Sequence, residues 1–183
     1  MSNFIFNKTD IQDVYLIKPK LFGDTRGYFM ESYNKKAFEE VGLNYTFVQE
    51  NQSCSTKGVL RGLHFQIKHP QAKLVRVLSG EVYDVAVDLR HDSPTYGKWI
   101  GVLLTEENKK QLLIPRGFAH GFYVVSDKAV FSYLCDDFFH PEDEGGILYN
   151  DADLNIDWPN LENIKQSEKD RKLPCFKDLG IIF

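Results

Sequence analysis

No apolar run in this chain approaches the roughly 20 residues needed to cross a bilayer, so no membrane-spanning helix and no membrane partner are expected. Cysteine is scarce. Cys54, Cys135 and Cys175 are odd in number and far apart, which gives neither a disulfide framework nor a zinc-ligand spacing and fits a reducing cytoplasm. Positive charge is not in excess: 22 Lys and Arg face 26 Asp and Glu, for a net charge of −4, so there is no basic field with which to hold nucleic acid. Long helical patterns are missing too. Only Lys35 to Val41, capped by Asn34 and stopped at Gly42, reads as a helix. The opening residues Met1 to Lys8 lack a charged segment followed by an apolar one, so no secretory signal is expected. Repeats, linkers and low-complexity stretches are absent as well.

What the chain does have is aromatic and strand-forming residues, with 14 Phe and 9 Tyr among 183 residues. That length closes one core, so residues 1–183 are read as a single domain. Strand patterns cover Val14 to Pro19, Tyr28 to Ser32, Tyr45 to Gln52, Val59 to Gln66, Lys73 to Leu78, Glu81 to Leu89, Trp99 to Leu104, Gln111 to Ile114, Gly121 to Val125 and Ala129 to Cys135. Between them, Phe22 to Gly27 reads as a turn and Thr105 to Asn108 as a capped helical turn. Many short strands with Gly and Pro turns mean a sandwich or barrel, and an all-β, cupin-type jelly-roll barrel with a few short peripheral helices is the expected fold. In Glu81 to Leu89 the period of two puts Val82, Asp84, Ala86 and Asp88 on one face, expected to meet water or a polar cavity.

The stretch Val59-Leu60-Arg61-Gly62-Leu63-His64-Phe65-Gln66 draws attention because it sets Arg61 and His64 inside an apolar run, where such groups must be paired. Downstream, Pro115-Arg116-Gly117-Phe118-Ala119-His120 resembles the turn that carries a metal-binding histidine in cupins. The partner motif there would be His-x-His, and here it reads His64-Phe65-Gln66. Two imidazoles and an amide make a poor site for a first-row metal, so neither a metal nor a cofactor is expected.

Nine segments together resemble the dTDP-4-dehydrorhamnose 3,5-epimerase family. They are Phe22 to Gly27, Phe47 to Asn51, Leu60 to Gln66, Lys73 to Arg76, Gly80 to Asp88, Ile114 to Phe122, Asn150-Asp151, Ile156 to Pro159 and Ser167 to Asp170. The resemblance implies a homodimer that inverts C3 and C5 of dTDP-4-keto-6-deoxyglucose on the way to dTDP-L-rhamnose and surface polysaccharide. The C4 ketone acidifies both carbons, so the chemistry needs a base near neutral pKa, a cation at the enolate oxygen and an acid opposite the base.

By resemblance the base is His64, oriented by Asp170, with Asp84 as the other candidate carboxylate. Lys73 would stabilise the enolate and Tyr133 would return the proton. Arg61 fits a diphosphate clamp. Arg26, Glu31, Gln49, Glu50, Asn51, His120, Glu144 and Lys169 are implied to line the rest of the nucleotide-sugar site. Read without the resemblance, Lys73 is a surface lysine, Tyr133 a core tyrosine, His120 a structural histidine, and Gln49 and Asn51 polar alternation on an exposed strand. Where the family often carries a Tyr pair before proline, this chain has Phe138 and Phe139, and Leu134 replaces a frequent lysine. Three other readings remain open: an epimerase of one carbon only, a metal-dependent cupin oxygenase, and a non-catalytic sugar-binding cupin.

Overall fold

The computed structural model describes residues 2–183. Thirteen strands run in chain order as β1 (Phe4–Lys8), β2 (Tyr15–Pro19), β3 (Phe22–Asp24), β4 (Gly27–Phe29), β5 (Gln49–Thr56), β6 (Leu60–Gln66), β7 (Lys73–Ser79), β8 (Glu81–Asp88), β9 (Trp99–Thr105), β10 (Gln111–Ile114), β11 (Phe118–Val124), β12 (Lys128–Cys135) and β13 (Glu144–Gly146), with one α-helix, α1 (Lys35–Glu39). One sheet has the order β1-β2-β10-β7-β12-β5, the other β13-β6-β11-β8-β9, and β3-β4 form a separate hairpin. Every pairing between strands is antiparallel. This is the cupin-type jelly roll expected from the sequence.

Between the sheets, Val75, Leu112, Ile114 and Phe131 of one meet Val82, Ala86, Leu104, Phe118 and Phe122 of the other. Part of the outer face of each sheet is covered. The segment around α1 lays Phe38 and Leu43 over Phe4, Ile17, Leu74 and Leu113, and the C-terminal tail lays Trp158, Phe176 and Phe183 over Leu63, Phe65, Val85 and Val87. Each Å² of apolar surface so removed from water is worth about 25 cal/mol; in β8 the tail covers Tyr83, Val85 and Val87, and the Val82-Asp84-Ala86-Asp88 face turns inward. Val82 and Ala86 join the central core, while Asp84 and Asp88 are buried and hydrogen-bonded.

Helix α1 begins where expected, with the Asn34 side chain accepting from Ala37 N at 3.2 Å. Several elements differ from the sequence reading: β3 takes up the start of the Phe22 to Gly27 turn, and β13 is a strand where none was expected. β1 adds an edge strand where none was expected. The Tyr28 to Ser32 strand shrinks to β4. The Tyr45 to Gln52 strand moves to Gln49–Thr56, because Tyr45 and Phe47 pack over the outer face of the sheet as a loop.

Strands β6 and β11 approach closely at two glycines. Gly62 has φ +100°, and a Cβ there would lie 2.6 Å from His120 O and 2.8 Å from Gly121 Cα. Both are backbone atoms and cannot rotate away. Gly62→Ala is therefore expected to cost about 3 kcal/mol, at the upper end for single substitutions, or a melting temperature lower by about 6–12 °C. Gly27→Ala is the control: Gly27 also has positive φ, but nothing lies within 4 Å of its Cβ position. Equal losses in the two variants would refute the collision.

Candidate active site

A cavity of about 630 Å³ opens between the two sheets. From the five-stranded sheet it takes Arg61 and His64 of β6, His120 and Phe122 of β11, and Glu144 of β13. The six-stranded sheet supplies Gln49 and Asn51 of β5, Lys73 of β7 and Tyr133 of β12. Phe139 and, from the tail, Lys169 and Asp170 close the rim.

Arg61 and His64 are three residues apart, so strict alternation would send them to opposite faces. Both reach the cavity because β6 carries one extra residue against β11. His64 pairs with His120 and Arg61 with Phe122, three steps on one strand for two on the other. Such a bulge re-aims side chains, and bulges gather beside active sites.

His64 Nε2 lies 2.7 Å from Asp170 Oδ1. Asp170 is 4% exposed, and its other oxygen accepts from Gly62 N at 3.4 Å. Ser167 Oγ accepts from Asp170 N at 3.0 Å and fixes the turn that carries the carboxylate. Burial works against charge on Asp170, but the hydrogen bond and charge of His64, the Gly62 N–H and Ser167 outweigh it and hold the carboxyl below its ordinary value. A carboxylate at Nε2 keeps the ring proton there and leaves the Nδ1 lone pair free to accept a proton. Nδ1 faces Glu144 Oε1 at 3.8 Å, and Glu144 is ion-paired with Lys169.

Asp84 is not the partner of His64. Its Oδ1 pairs with His120 Nε2 at 2.9 Å, and its Oδ2 is buried with no partner. Burial pushes the Asp84 carboxyl up and the His120 imidazole down, each partly offset by the other. Lys73 is likewise depressed by burial, against the pull of Cys135, Asp84 and Glu144. The Cys135 part of that pull vanishes at neutral pH, since burial pushes its thiol up to about 11. The Lys73 ammonium sits 5.9 Å from the centre of the Tyr133 ring, and burial raises the Tyr133 phenol above its ordinary value. Tyr133 and His64 thus enter the cavity from facing sheets.

Three residues expected at the site do not line this cavity. Glu50 points to the other face of β5, where it accepts from Ser132 Oγ at 2.8 Å, as alternation between Gln49 and Asn51 requires. Arg26, with 87% of its side chain exposed, pairs with Asp24 on the β3-β4 hairpin. Glu31 accepts from Asn3 and Asn34. Gln66, at the second-histidine position of the cupin motif, turns its amide to the backbone of residues 69 and 138–140. Ser55, which the sequence reading missed, accepts from Arg61 Nε and Nη2 at 3.3 and 3.2 Å, and nothing in its context signals that contact.

The sequence profile described as dTDP-4-dehydrorhamnose 3,5-epimerase matches residues 8–178. The chain belongs to this family. It is 58% identical to the dTDP-4-dehydrorhamnose 3,5-epimerase of Shigella flexneri over 165 residues, 89% of this chain and 91% of that one. The crystal structure of the Elizabethkingia anophelis NUHP1 enzyme superposes with a TM-score of 0.93 at 54% identity, covering 97% of this chain and 99% of that chain. The family member from Legionella pneumophila, solved in complex with dTDP-4-keto-L-rhamnose, gives a TM-score of 0.94 at 51% identity, covering 96% and 94%.

Proposed function

We propose that this chain inverts C3 and C5 of dTDP-4-keto-6-deoxyglucose, giving the L-rhamno ketosugar for dTDP-L-rhamnose synthesis and, through it, surface polysaccharide. The observation that carries the reading is the His64–Asp170 pair, 2.7 Å apart, in one cavity with Lys73 and Tyr133. His64 Nδ1 removes the proton next to the C4 ketone, and Asp170 stabilises the imidazolium that forms. Lys73 holds the enolate oxygen, where preorganised charge in a dry site is worth most. Tyr133 returns a proton from the opposite face. Once the imidazolium has released its proton to solvent and the Tyr133 phenolate has regained one, the same set serves the second carbon, since both carbons flank the same ketone.

Arg61 and Lys169 suit the diphosphate, and the exposed ring of Phe139 at the rim suits the thymine face. We further propose a cytoplasmic homodimer in which the β3-β4 hairpin delivers Arg26 and Glu31 to the partner's cavity. Support comes from the exposed Phe22, Tyr28 and Phe29 on that hairpin, a patch that a monomer in water leaves uncovered, and from three free cysteines.

The ketosugar incubated in D2O with the enzyme is expected to gain deuterium at both C3 and C5, read by NMR. Deuterium at one carbon alone would replace this reading with a single-carbon epimerase.

A further inference from the structure

We infer that Gln66 is a positioning residue that holds the aromatic rim of the cavity ready for the nucleotide, an inference resting on the thymidine diphosphate reading of that cavity. Gln66 is 4% exposed, and every hydrogen-bonding group of its amide goes to backbone. Nε2 donates to His69 O at 2.7 Å and to Phe138 O at 3.1 Å, and Oε1 accepts from His140 N at 2.6 Å. The residue between these anchors is held from the other sheet, where Gln49 Oε1 accepts from Phe139 N at 3.1 Å. Three consecutive residues are thus clipped by two amides.

The middle residue, Phe139, carries the ring that lines the cavity, and it is 49% exposed. A solvated ring on a loop gains little by staying in place, and an unrestrained loop would have to be ordered each time a base stacked on it. Fixing the backbone beforehand removes that cost from binding. The stack of His69 on His140, ring centres 4.0 Å apart, ties together the two backbone segments that Gln66 bridges. A primary amide suits the task because it offers two donors and an acceptor without charge. A histidine at this position offers at most one donor and one acceptor when neutral, so the residue that departs from the metal-binding motif is the one this loop requires.

The test uses the intact enzyme with dTDP as calorimetric probe and the ketosugar as substrate. Gln66→Met keeps length and removes every bond of the amide. It is expected to raise the dTDP Kd and the ketosugar KM about tenfold, the effect of one or two net hydrogen bonds, with kcat within about threefold. Amide exchange at Phe139 and His140 should quicken at least as much while β8 stays protected. Combined with Phe139→Ala, the Gln66→Met change should add little, because a rim without its ring gains nothing from being held. Gln66→Glu keeps the acceptor, and its buried carboxylate faces two carbonyls, so its dTDP affinity should approach that of the wild type as falling pH protonates it. Wild-type Kd and KM in Gln66→Met, a loss in kcat alone, unchanged exchange at 139–140, or full additivity with Phe139→Ala would each overturn the inference. If the unsubstituted enzyme takes up no dTDP, the nucleotide reading falls on that result, and the exchange rates still decide whether Gln66 holds the segment.

Discussion

Replacing His64 with alanine is expected to lower ketosugar turnover by about 10³- to 10⁴-fold, the upper range for a positioned general base, while dTDP binds within about threefold of wild type. The asymmetry follows from where the side chain stands. His64 is tied by Nε2 to Asp170 and presents its other nitrogen to the cavity, whereas the groups suited to the diphosphate, Arg61 and Lys169, are separate side chains. Removing the imidazole therefore deletes the proposed base and leaves the cations proposed for the diphosphate. Asp170→Asn should fall between the variant and the wild type. An amide at the Asp170 position keeps the shape but no longer stabilises the imidazolium, and it can present its N–H to Nε2 and force the wrong tautomer. A loss of about 10²-fold or more is expected. Deuterium wash-in from D2O measures both variants directly. If His64→Ala still exchanged at a tenth of the wild-type rate, the base would have to be another group, and Glu144, 3.8 Å from the imidazole, would be the first to test.

How much of this was legible in the sequence depends on the range of the interaction. Helix α1 was, because its cap is local: Asn34 bonds three residues on. The barrel was, because strand period and turn residues are local too. Arg61 and His64 stood out in their apolar run, but the rest of the site was legible only through the resemblance. Asp170 lies 106 residues from His64, and no periodicity connects the 3₁₀ turn at Asp170–Lys172 to β6. The bulge that aims both Arg61 and His64 inward is equally hidden, since it depends on β11 pairing with one residue fewer. Alternation did separate Glu50 from Gln49 and Asn51, a distinction that the resemblance blurred by implying all three at the site. Of the two surroundings expected for the Val82-Asp84-Ala86-Asp88 face of β8, water is not met, but Asp84 on that face bonds His120 of the cavity wall. A tail with loose patterning covers the sheet from outside, so a strand whose one apolar face seemed sufficient is buried on both.

Lys73→Met is expected to cut kcat by about 10²- to 10³-fold, as for the loss of one preorganised oxyanion partner, without lowering the melting temperature. The two halves of that statement come from the same cause. Burial depresses the Lys73 ammonium by more than Asp84, Glu144 and Cys135 together restore. A base whose pKa is lower folded than unfolded holds its proton more weakly in the folded state. Stability is therefore lost as pH falls from the unfolded value through the folded one, and below that the penalty is complete. Methionine keeps most of the stem length and carries no charge, so the penalty disappears and the fold is expected to be as stable as before or more so. An activity loss with no stability loss marks a residue held against the preference of the fold. Arginine would not rescue turnover, because its planar fork cannot occupy the place of a compact ammonium beside Tyr133. The wild-type rate should also decline on the alkaline side as the depressed lysine loses its proton. Parallel thermal melts and saturating-substrate rates decide the matter. A fall of several degrees in Lys73→Met would show that the ammonium supports the fold, and an unchanged kcat would remove Lys73 from the enolate oxygen.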